Sequence, residues 1–264
     1  MKRIIVCIKQ VLDPEASPSS FKIDTEAKRA VAPKGVPPVL NPFDENALEA
    51  ALRMKDVHGG KVTVISMGKN LAKPVMMRSL AAGADELILL QDDILEDVDS
   101  YFAAYTLATA IKKLEEYDLI LCGREAADSN AGQVGLGIAE ILRIPSITIA
   151  AKVEVGNGKI RVRRVVSDGY EVIEAPMPAL ITVTNELGEL RAATMKAIME
   201  AKKKPIITWN AQDIGVDLSQ MRRTKLVRLF IPVLEGPSCQ IVGVESPEEA
   251  GTSLALKLWQ DKII

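Results

Sequence analysis

The amino-acid sequence predicts an α/β protein: a mostly parallel sheet wrapped by helices, with a β-hairpin extension and an extended C-terminal arm plus helix. Three observations lead to this fold class. Over residues 1–150, short aliphatic runs alternate with segments of helical apolar spacing, which is the pattern of parallel strands joined by right-handed crossovers. Alternating residues around Asn157-Gly158 then indicate a hairpin. A long segment with little periodicity precedes a final capped helix.

Strands and helices alternate in the first part of the chain. The predicted strands are RIIVCIKQV, KVTVISMG, ELILL and LILC, and the predicted helices are NPFDENALEAALRMKDV, LAKPVMMRSLAAGA and SYFAAYTLATAIKKLEEY. The first helix begins at Asn41-Pro42, with Asp44 and Glu45 in its first turn, where acidic residues complement the helix dipole. An asparagine before proline is also a common helix cap, so this stretch needs no functional explanation.

Length, charge and cysteine spacing exclude several classes of function. With 264 residues the chain can bury a sizeable core, and a net charge of −2 argues against nucleic acid as a partner. No apolar run approaches the ~20 residues of a membrane span. Cys7, Cys122 and Cys239 lack the spacing of a metal site, so we expect buried free thiols in a cytoplasmic protein. His58 precedes Gly59 and is predicted at a solvent-facing helix end.

The segment DLILCGREAADSNAGQVGLGIAEIL joins a predicted strand to a predicted helix through small and polar residues. Asp128, Ser129 and Asn130 are good N-cap residues ahead of that helix. Gly132 and Gly135 would let a ligand approach the backbone closely, and a helix N-terminus favours anions. One hypothesis is therefore a phosphate site; the other is an ordinary capped connection. The segment matches neither the Walker pattern nor the dinucleotide fingerprint, so it does not decide between them.

Other candidate residues follow the strands. In a parallel sheet the ligand crevice lies beyond the carboxyl ends of the strands. Three predicted strand exits carry small or polar groups there: residues 8–10, 66–68 and 122–124. Asn41, at the start of the first helix, is a fourth candidate.

The second half of the sequence changes character. After the hairpin comes LRAATMKAIMEAKKKPIITW, predicted as a basic helix with Met195, Ile198 and Met199 on one face. This is either a solvated helix or a docking surface, because methionines make adaptable contacts. Residues 214–246 have little helical periodicity and are predicted to be an arm wrapped on a partner. The last segment, SPEEAGTSLALKLWQDKII, is predicted as a helix with apolar surface to bury.

Four segments together resemble the β subunit of electron transfer flavoprotein: VCIKQVLD, LNPFDENALEAAL, CGREAADSNAGQVG, and RAATMKAIMEAKKKPI followed by DIGVD. The resemblance is in order and spacing over essentially the whole chain. It implies a Rossmann-like fold and a heterodimer with an alpha subunit, in which this chain is an electron carrier and not a free-standing enzyme. It also implies a redox FAD held mainly by the alpha subunit, and AMP inside the beta subunit or a second FAD in the electron-bifurcating branch.

The resemblance also implies the partners and the division of the chain. Electrons would pass from an acyl-CoA or other flavoprotein dehydrogenase to a quinone oxidoreductase or another acceptor. Residues 1–210 would form the nucleotide-binding domain, including a recognition loop and helix at 184–204. Residues 211–264 would be the C-terminal arm and helix that dock on the alpha subunit.

Site residues can be assigned by matching the family's motifs. Met195 would be the apolar anchor for a dehydrogenase, with Ile198 and Met199 beside it. Arg164 would face the redox flavin. The cofactor-binding candidates are Ile8, Lys9, Asn41, Ser66, Cys122, Gly123, Asp128, Asn130, Ala131, Gly132, Gln133, Val134 and Arg164.

The identity of the second nucleotide depends on conflicting signals. Gly68-Lys69-Asn70 stands where the bifurcating branch usually has a Gly-Pro-Pro run, and this favours AMP. CGREAADSNAGQVG and the ending WQDKII look closer to the bifurcating and anaerobic members. The insertion PEASPSSFKIDTEAK has no simple counterpart in the animal proteins. We expect AMP, with a second FAD as the alternative.

Two other classes of protein share this kind of architecture. An ATP-pyrophosphatase would carry a Ser/Gly-rich phosphate loop after the first strand, where this chain has KQVLDPEA. A stand-alone nucleotide sensor such as a universal stress protein would need neither the basic helix nor the long arm.

Overall fold

The computed structural model describes residues 1–17, 20–114, 116–221, 223–231, 239, 241–242 and 246–264. The strands of these residues, in chain order, are β1 (Arg3–Cys7), β2 (Gln10–Val11), β3 (Lys22–Asp24), β4 (Arg29–Val31), β5 (Val39–Leu40), β6 (Lys61–Gly68), β7 (Glu86–Gln91), β8 (Leu119–Gly123), β9 (Ser146–Gly156), β10 (Lys159–Val166), β11 (Gly169–Pro176), β12 (Ala179–Val183) and β13 (Ile206–Trp209). The α-helices are α1 (Pro42–His58), α2 (Lys73–Ala82), α3 (Ser100–Lys112), α4 (Val134–Leu142), α5 (Met195–Ala201), α6 (Ala211–Ile214) and α7 (Pro247–Gln260).

The main sheet within the described residues has nine strands, in the order β11-β10-β9-β12-β8-β1-β6-β7-β13. Seven neighbouring strands of this order, β9-β12-β8-β1-β6-β7-β13, pair in parallel. Strand β10 pairs antiparallel with β9, and β11 pairs antiparallel with β10 at the edge of the sheet. The predicted α/β fold with a mostly parallel sheet is therefore confirmed. The hairpin turns at Asn157-Gly158, where both residues have positive φ as such a turn requires, and it extends the sheet edge.

Helices cover both faces of the sheet. The side chains of each buried strand point alternately to one face and the other, so both faces are apolar and need to be covered. Ile4 and Val6 of β1 join the core under α1 and α2, whereas Ile5 and Cys7 join the core under α3 and α4. Phe102 of α3 is fully buried in the second core. This second face carries the cleft described below.

Four local predictions need correction. The first strand ends at Cys7, and Gln10–Val11 pair with β5 in a separate sheet. The third helix ends at Lys112 and does not continue to Tyr117. The basic segment is helical only over Met195–Ala201, since the preceding residues are held in irregular structure. Helix α4 begins at Val134 with Gln133 as its N-cap, so Asp128, Ser129 and Asn130 belong to the loop and do not cap it.

The predicted end of α1 is confirmed. This helix ends at His58, which is exposed, and the Gly59 N–H donates to the Lys55 carbonyl at 2.8 Å. Cys7 and Cys122 are free and buried as expected, whereas Cys239 is exposed.

The chain forms two compact units, Met1–Arg228 and Leu229–Ile264. Residues 211–228 belong to the first unit, and the functional division predicted at 210/211 stays a prediction. Part of the predicted arm, residues 232–238, 240 and 243–245, lies outside the described residues. In the second unit, the Ser246 hydroxyl accepts from the Glu249 N–H at 3.2 Å and caps α7. No helix in the described part of the chain is long and apolar enough to span a bilayer.

Candidate functional site

A cleft of about 540 Å³ lies at the carboxyl edge of the sheet, between the ends of β1, β6 and β8 and the starts of α1, α3 and α4. The sequence singles out residues from distant segments, and the fold brings most of them to this one place. The predicted residues that line the cleft are Ile8, Lys9, Asn41, Cys122, Gly123, Asp128, Ala131, Gly132, Gln133 and Val134.

The other three predicted residues are not part of this lining. Ser66 is fully buried and lies on the α1 side of β6, because its neighbours Ile65 and Met67 face the α3 side. Asn130 is in the loop, with a positive φ of 47°. Arg164 is on β10, where its Nη1 lies 3.2 Å from the Glu171 carboxylate.

Asn41 fastens the loop that follows β8. Its Nδ2 donates to the Glu125 carbonyl at 2.8 Å, and its Oδ1 accepts from the Ala127 N–H at 3.0 Å. Its backbone carbonyl accepts from the N–H groups of the first turn of α1. The side chain is therefore already engaged with the protein, and its evident structural role is to fix the loop over the cleft.

Asp44 ties together the three segments that meet under the cleft. One carboxylate oxygen accepts from the Lys9 N–H at 2.7 Å, and the other accepts from the Gly123 N–H at 3.0 Å. Burial raises the pKa of Asp44 to about 7, although the hydrogen bonds from Lys9, Asn41 and Gly123 and the charge of Lys9 oppose this effect. In the sequence, Asp44 is explained by the helix dipole alone, and no local signal indicates that it joins β1 to β8.

The raised pKa of Asp44 predicts a pH-dependent stability. Because the folded pKa of about 7 lies above the ordinary 3.8, the folded chain keeps a proton that the unfolded chain loses. The contribution is complete below pH 3.8 and is lost as pH rises through 7, at about 1.4 kcal/mol per pH unit between these values. Urea unfolding at pH 5, 6 and 7 should show this slope in the wild type but not in Asp44→Asn, and equal slopes would contradict the assignment.

Two thiols form part of the cleft floor. Cys7 of β1 and Cys122 of β8 are directly opposite each other in parallel register. The hydrogen bond with Cys7, the burial and the charge of Asp44, in that order, raise the pKa of Cys122 well above its usual range. The Cys122 thiol therefore stays neutral, and both side chains are buried in the cleft floor.

Charged side chains stand around the opening of the cleft. The Lys9 ammonium lies 2.7 Å from the Asp128 carboxylate, and both side chains are partly exposed. Arg124 pairs with Glu125 and lies over the Phe43 ring at 4.9 Å. These cations are close enough to the cleft to attract an anion, and their exposed pairings are weak enough to be exchanged for one.

The start of α4 completes this end of the cleft. No side chain in the described part of the chain caps the helix, so its first N–H groups lack the usual oxygen acceptor. Gly132 has a φ of +63°, and a Cβ there would lie 3.5 Å from the Arg124 carbonyl. Gly135 is packed closely, since a Cβ there would lie 3.0 Å from Thr182. A helix start with free N–H groups and glycines at positions 132 and 135 suits an anion such as a phosphate.

The opposite wall of the cleft was not predicted. It comes from the segment before α3, from α3 itself and from one residue late in the chain: Leu95, Asp97, Val98, Asp99, Ser100, Ala103, Leu107 and Thr224. The Asp99-Ser100 pair has the sequence of a helix cap, which could have placed it at the same sheet edge. Nothing in the sequence indicates that Thr224 reaches the cleft.

Comparison with known proteins places these features in a family. The electron transfer flavoprotein domain model matches residues 29–214. The chain is 40% identical over 267 residues to the caffeyl-CoA reductase-Etf complex subunit CarD of Acetobacterium woodii, covering 99% of this chain and 100% of that protein. It is 42% identical over 240 residues to the electron transfer flavoprotein subunit beta of Megasphaera elsdenii, covering 87% of each chain. It is 33% identical over 265 residues to the protein FixA of Azorhizobium caulinodans, covering 96% of this chain and 92% of that one. The chain therefore belongs to the electron transfer flavoprotein family, among its beta subunits and FixA proteins, and its function is electron transfer.

Proposed function

We propose that this chain is the beta subunit of a heterodimeric electron transfer flavoprotein in the cytoplasm, and that its cleft binds AMP. With an alpha subunit it would carry electrons from an acyl-CoA or other flavoprotein dehydrogenase to a quinone oxidoreductase or another acceptor. The observation that carries the proposal is the convergence of the predicted residues from β1, α1 and the loop after β8 on one cleft beside the start of α4.

The residues of the cleft suit a nucleotide. The N–H groups at the start of α4 and the Lys9 ammonium would bind its phosphate, next to Gly132, which has no side chain to block a close approach. The floor with the buried Cys7 and Cys122 side chains and the apolar residues of α3 suit the less polar part of the molecule. In this arrangement AMP has a structural role, and the chain supplies binding and position.

The redox FAD would lie mainly on the alpha subunit, with Arg164 facing it. The Nε of Arg164 is buried and has no acceptor among the described residues. A buried donor without a partner is costly, and a group from another chain or its cofactor would satisfy it. The flavin supplies the redox chemistry, and the protein sets its position and surroundings.

A second FAD in the cleft is the other candidate. It is favoured by the 40% identity to a subunit of a caffeyl-CoA reductase-Etf complex over nearly the whole chain. The cleft also extends from the loop at Asp128 to the wall at Leu95 and Thr224, which gives room for a larger ligand. In that case the chain would be part of an electron-bifurcating protein that accepts electrons from NADH.

The nucleotide content of the complex tests the proposal. The chain would be co-expressed with its alpha subunit, and the FAD and AMP released from the denatured complex would be counted per heterodimer. One FAD and one AMP are expected. Two FAD without AMP would support the bifurcating alternative, and a well-folded complex without nucleotide would refute the cleft assignment.

The surface around Met195 is the proposed docking site for the dehydrogenase. Met195, Ile198 and Met199 are 76%, 40% and 57% exposed, so α5 presents an apolar face to solvent. The loop before this helix is anchored on α1, because Arg191 makes three bonds of 3.0–3.2 Å to the buried Glu49 carboxylate. An exposed apolar anchor on a fixed base is suited to docking.

Met195→Ala should lower the rate of electron transfer from the dehydrogenase roughly ten-fold or more, as expected for loss of an interface anchor. The FAD content should not change, because the side chain is 76% exposed and does not line the cleft. Reduction of the heterodimer by the dehydrogenase would be followed at several carrier concentrations. Val31→Ala removes another exposed apolar side chain, 43% exposed on β4, and serves as the control. Equal rates for both variants would disprove the docking site.

A further inference from the structure

The segment after α6 runs along the outside of α3 towards the cleft. We call residues 216–221 and 223–228 the strap. It belongs to the same compact unit as the sheet, which ends at Arg228. Its sequence has little periodicity, so its course is set by contacts with α3 and with the segment just before it.

These contacts follow α3 backwards, from its middle to its N-terminus. The Asp217 N–H donates to the Tyr105 hydroxyl at 3.4 Å. About one helical turn earlier, the Tyr101 hydroxyl donates to the Gln220 side chain at 3.1 Å. The Arg223 guanidinium then lies over the Tyr101 ring at 3.9 Å. The strap is therefore directed to the start of α3, which is at the cleft.

Asp99 holds the end of the strap. One of its oxygens accepts from the Phe102 N–H at 2.8 Å and caps α3. The other accepts from the N–H groups of Arg223 and Thr224, at 2.6 and 2.8 Å, and from the Thr224 hydroxyl at 3.3 Å. Burial alone would raise the pKa of Asp99, but these hydrogen bonds outweigh it and lower the pKa, so the group is a carboxylate at neutral pH.

Thr224 is the residue of the strap that lines the cleft, beside Leu95 and Ala103. Two residues after Thr224 in the chain, the Leu226 carbonyl accepts from the Lys28 ammonium at 3.2 Å. The strap is thus attached on both sides of Thr224. Thr224 lines the same cleft as the loop at Asp128, where the phosphate is proposed to bind.

We propose that the strap is a wall of the nucleotide cleft, in which Thr224 contacts the bound nucleotide and Asp99 is the residue that positions it. This inference rests on the proposed function and adds a C-terminal residue to the site. Thr224 lies within residues 211–264, four residues before the end of the first unit, so the first part of the proposed partner-docking arm would also help retain the nucleotide.

Two pairs of variants of the alpha–beta complex test the wall. Thr224→Trp puts a large ring at the lining position, whereas Leu226→Trp puts it two residues later, at a side chain that is 53% exposed and does not line the cleft. In Asp99→Asn, only one side-chain oxygen remains to accept, so it cannot both cap α3 and hold the strap. Asp93→Asn is the control, because it removes a carboxylate from the segment before α3 that has its ion pair with Lys69. AMP and FAD are counted per complex after dialysis, and the dissociation rate of AMP is measured on dilution.

Asp99→Asn should speed AMP loss by about ten-fold or more, the effect of losing one hydrogen bond to a charged group. Thr224→Trp should speed it to a similar degree, because the ring crowds the bound nucleotide. The two controls should retain AMP as the wild type does. Hydrogen exchange at the Arg223 and Thr224 amides should slow when AMP is added to the wild type, which a purely structural strap would not show. If Asp99→Asn does not fold, Thr224→Trp and this protection decide the question.

Full retention of nucleotide by Thr224→Trp, or no AMP-dependent protection of the strap, would refute the contact between the strap and the nucleotide. Neither result would contradict the proposed nucleotide site in the cleft. If the wild-type complex contains two FAD and no AMP, the loss of the second FAD is measured in the same variants in place of AMP loss. A wild-type complex without either nucleotide would refute the proposed function, and the strap's binding role with it.

Discussion

Gly132→Asp should remove AMP from the complex. The new carboxylate would stand beside the start of α4, where the phosphate is proposed to bind. Two unit charges 4 Å apart repel by about 1 kcal/mol in water and about 4 kcal/mol near a protein surface, so affinity should fall roughly five- to a thousand-fold. Titration of nucleotide-depleted complex with AMP measures this change.

Gly132→Asn separates charge from backbone strain in this experiment. The φ of +63° at this position disfavours most side chains, but asparagine and aspartate both tolerate it and have nearly the same size. The asparagine variant should therefore keep most of its AMP affinity. If the two variants lose affinity equally, the loss comes from crowding, and the phosphate does not lie at this helix start.

Gly123→Ala should cost the fold about 3 kcal/mol or more. A Cβ at Gly123 would lie 2.5 Å from an Asp44 oxygen and 2.6 Å from the Phe43 backbone carbon. Backbone cannot yield to such a contact as a flexible side chain can, so the start of α1 must move away from β8. The hydrogen bond from the Gly123 N–H to Asp44 would be lost with it, and this bond holds one corner of the cleft.

Gly156→Ala is the matched control, because Gly156 ends β9 and a Cβ there would meet nothing within 4 Å. Urea unfolding of both variants measures the difference in free energy of unfolding. The control should stay within about 0.5 kcal/mol of the wild type. A Gly123→Ala protein of wild-type stability would show that α1 and β8 do not approach as closely as described.

The parts of the fold that follow from local physics could be predicted. Buried parallel strands appear as short aliphatic runs, and the Asn157-Gly158 turn requires positive φ at both residues. Helix α1 and its end at His58 follow from Pro42 and Gly59 in the same way. Where several signals compete, the local reading is less reliable. Asp128, Ser129 and Asn130 all look like caps, yet α4 begins later, and Asn41 uses the intervening loop for its own hydrogen bonds.

In the candidate site, too, some residues could be predicted from the sequence and others could not. Lys9, Asn41 and the loop at 128–134 could be selected because the ends of parallel strands share one edge of the sheet. Their hydrogen bonds could not be predicted, since Asp44 contacts Gly123 across 79 residues of sequence. Ser66 follows the same strand-exit rule but faces the other side of β6.

The sequence by itself determined the α/β class, the order of the main elements and the loop of small and polar residues ahead of α4, because each depends on residues within a few turns of one another. That α4 begins without a side-chain cap was decided by the structure. Only the tertiary structure decided that Asp44 joins β1 to β8, that α5 presents Met195 to solvent, and that the strap brings Thr224 to the cleft. These contacts depend on how distant segments pack, and no periodicity in the chain records them. The strap is the clearest case, since its course along α3 is set by Tyr105, Tyr101 and Asp99 in turn.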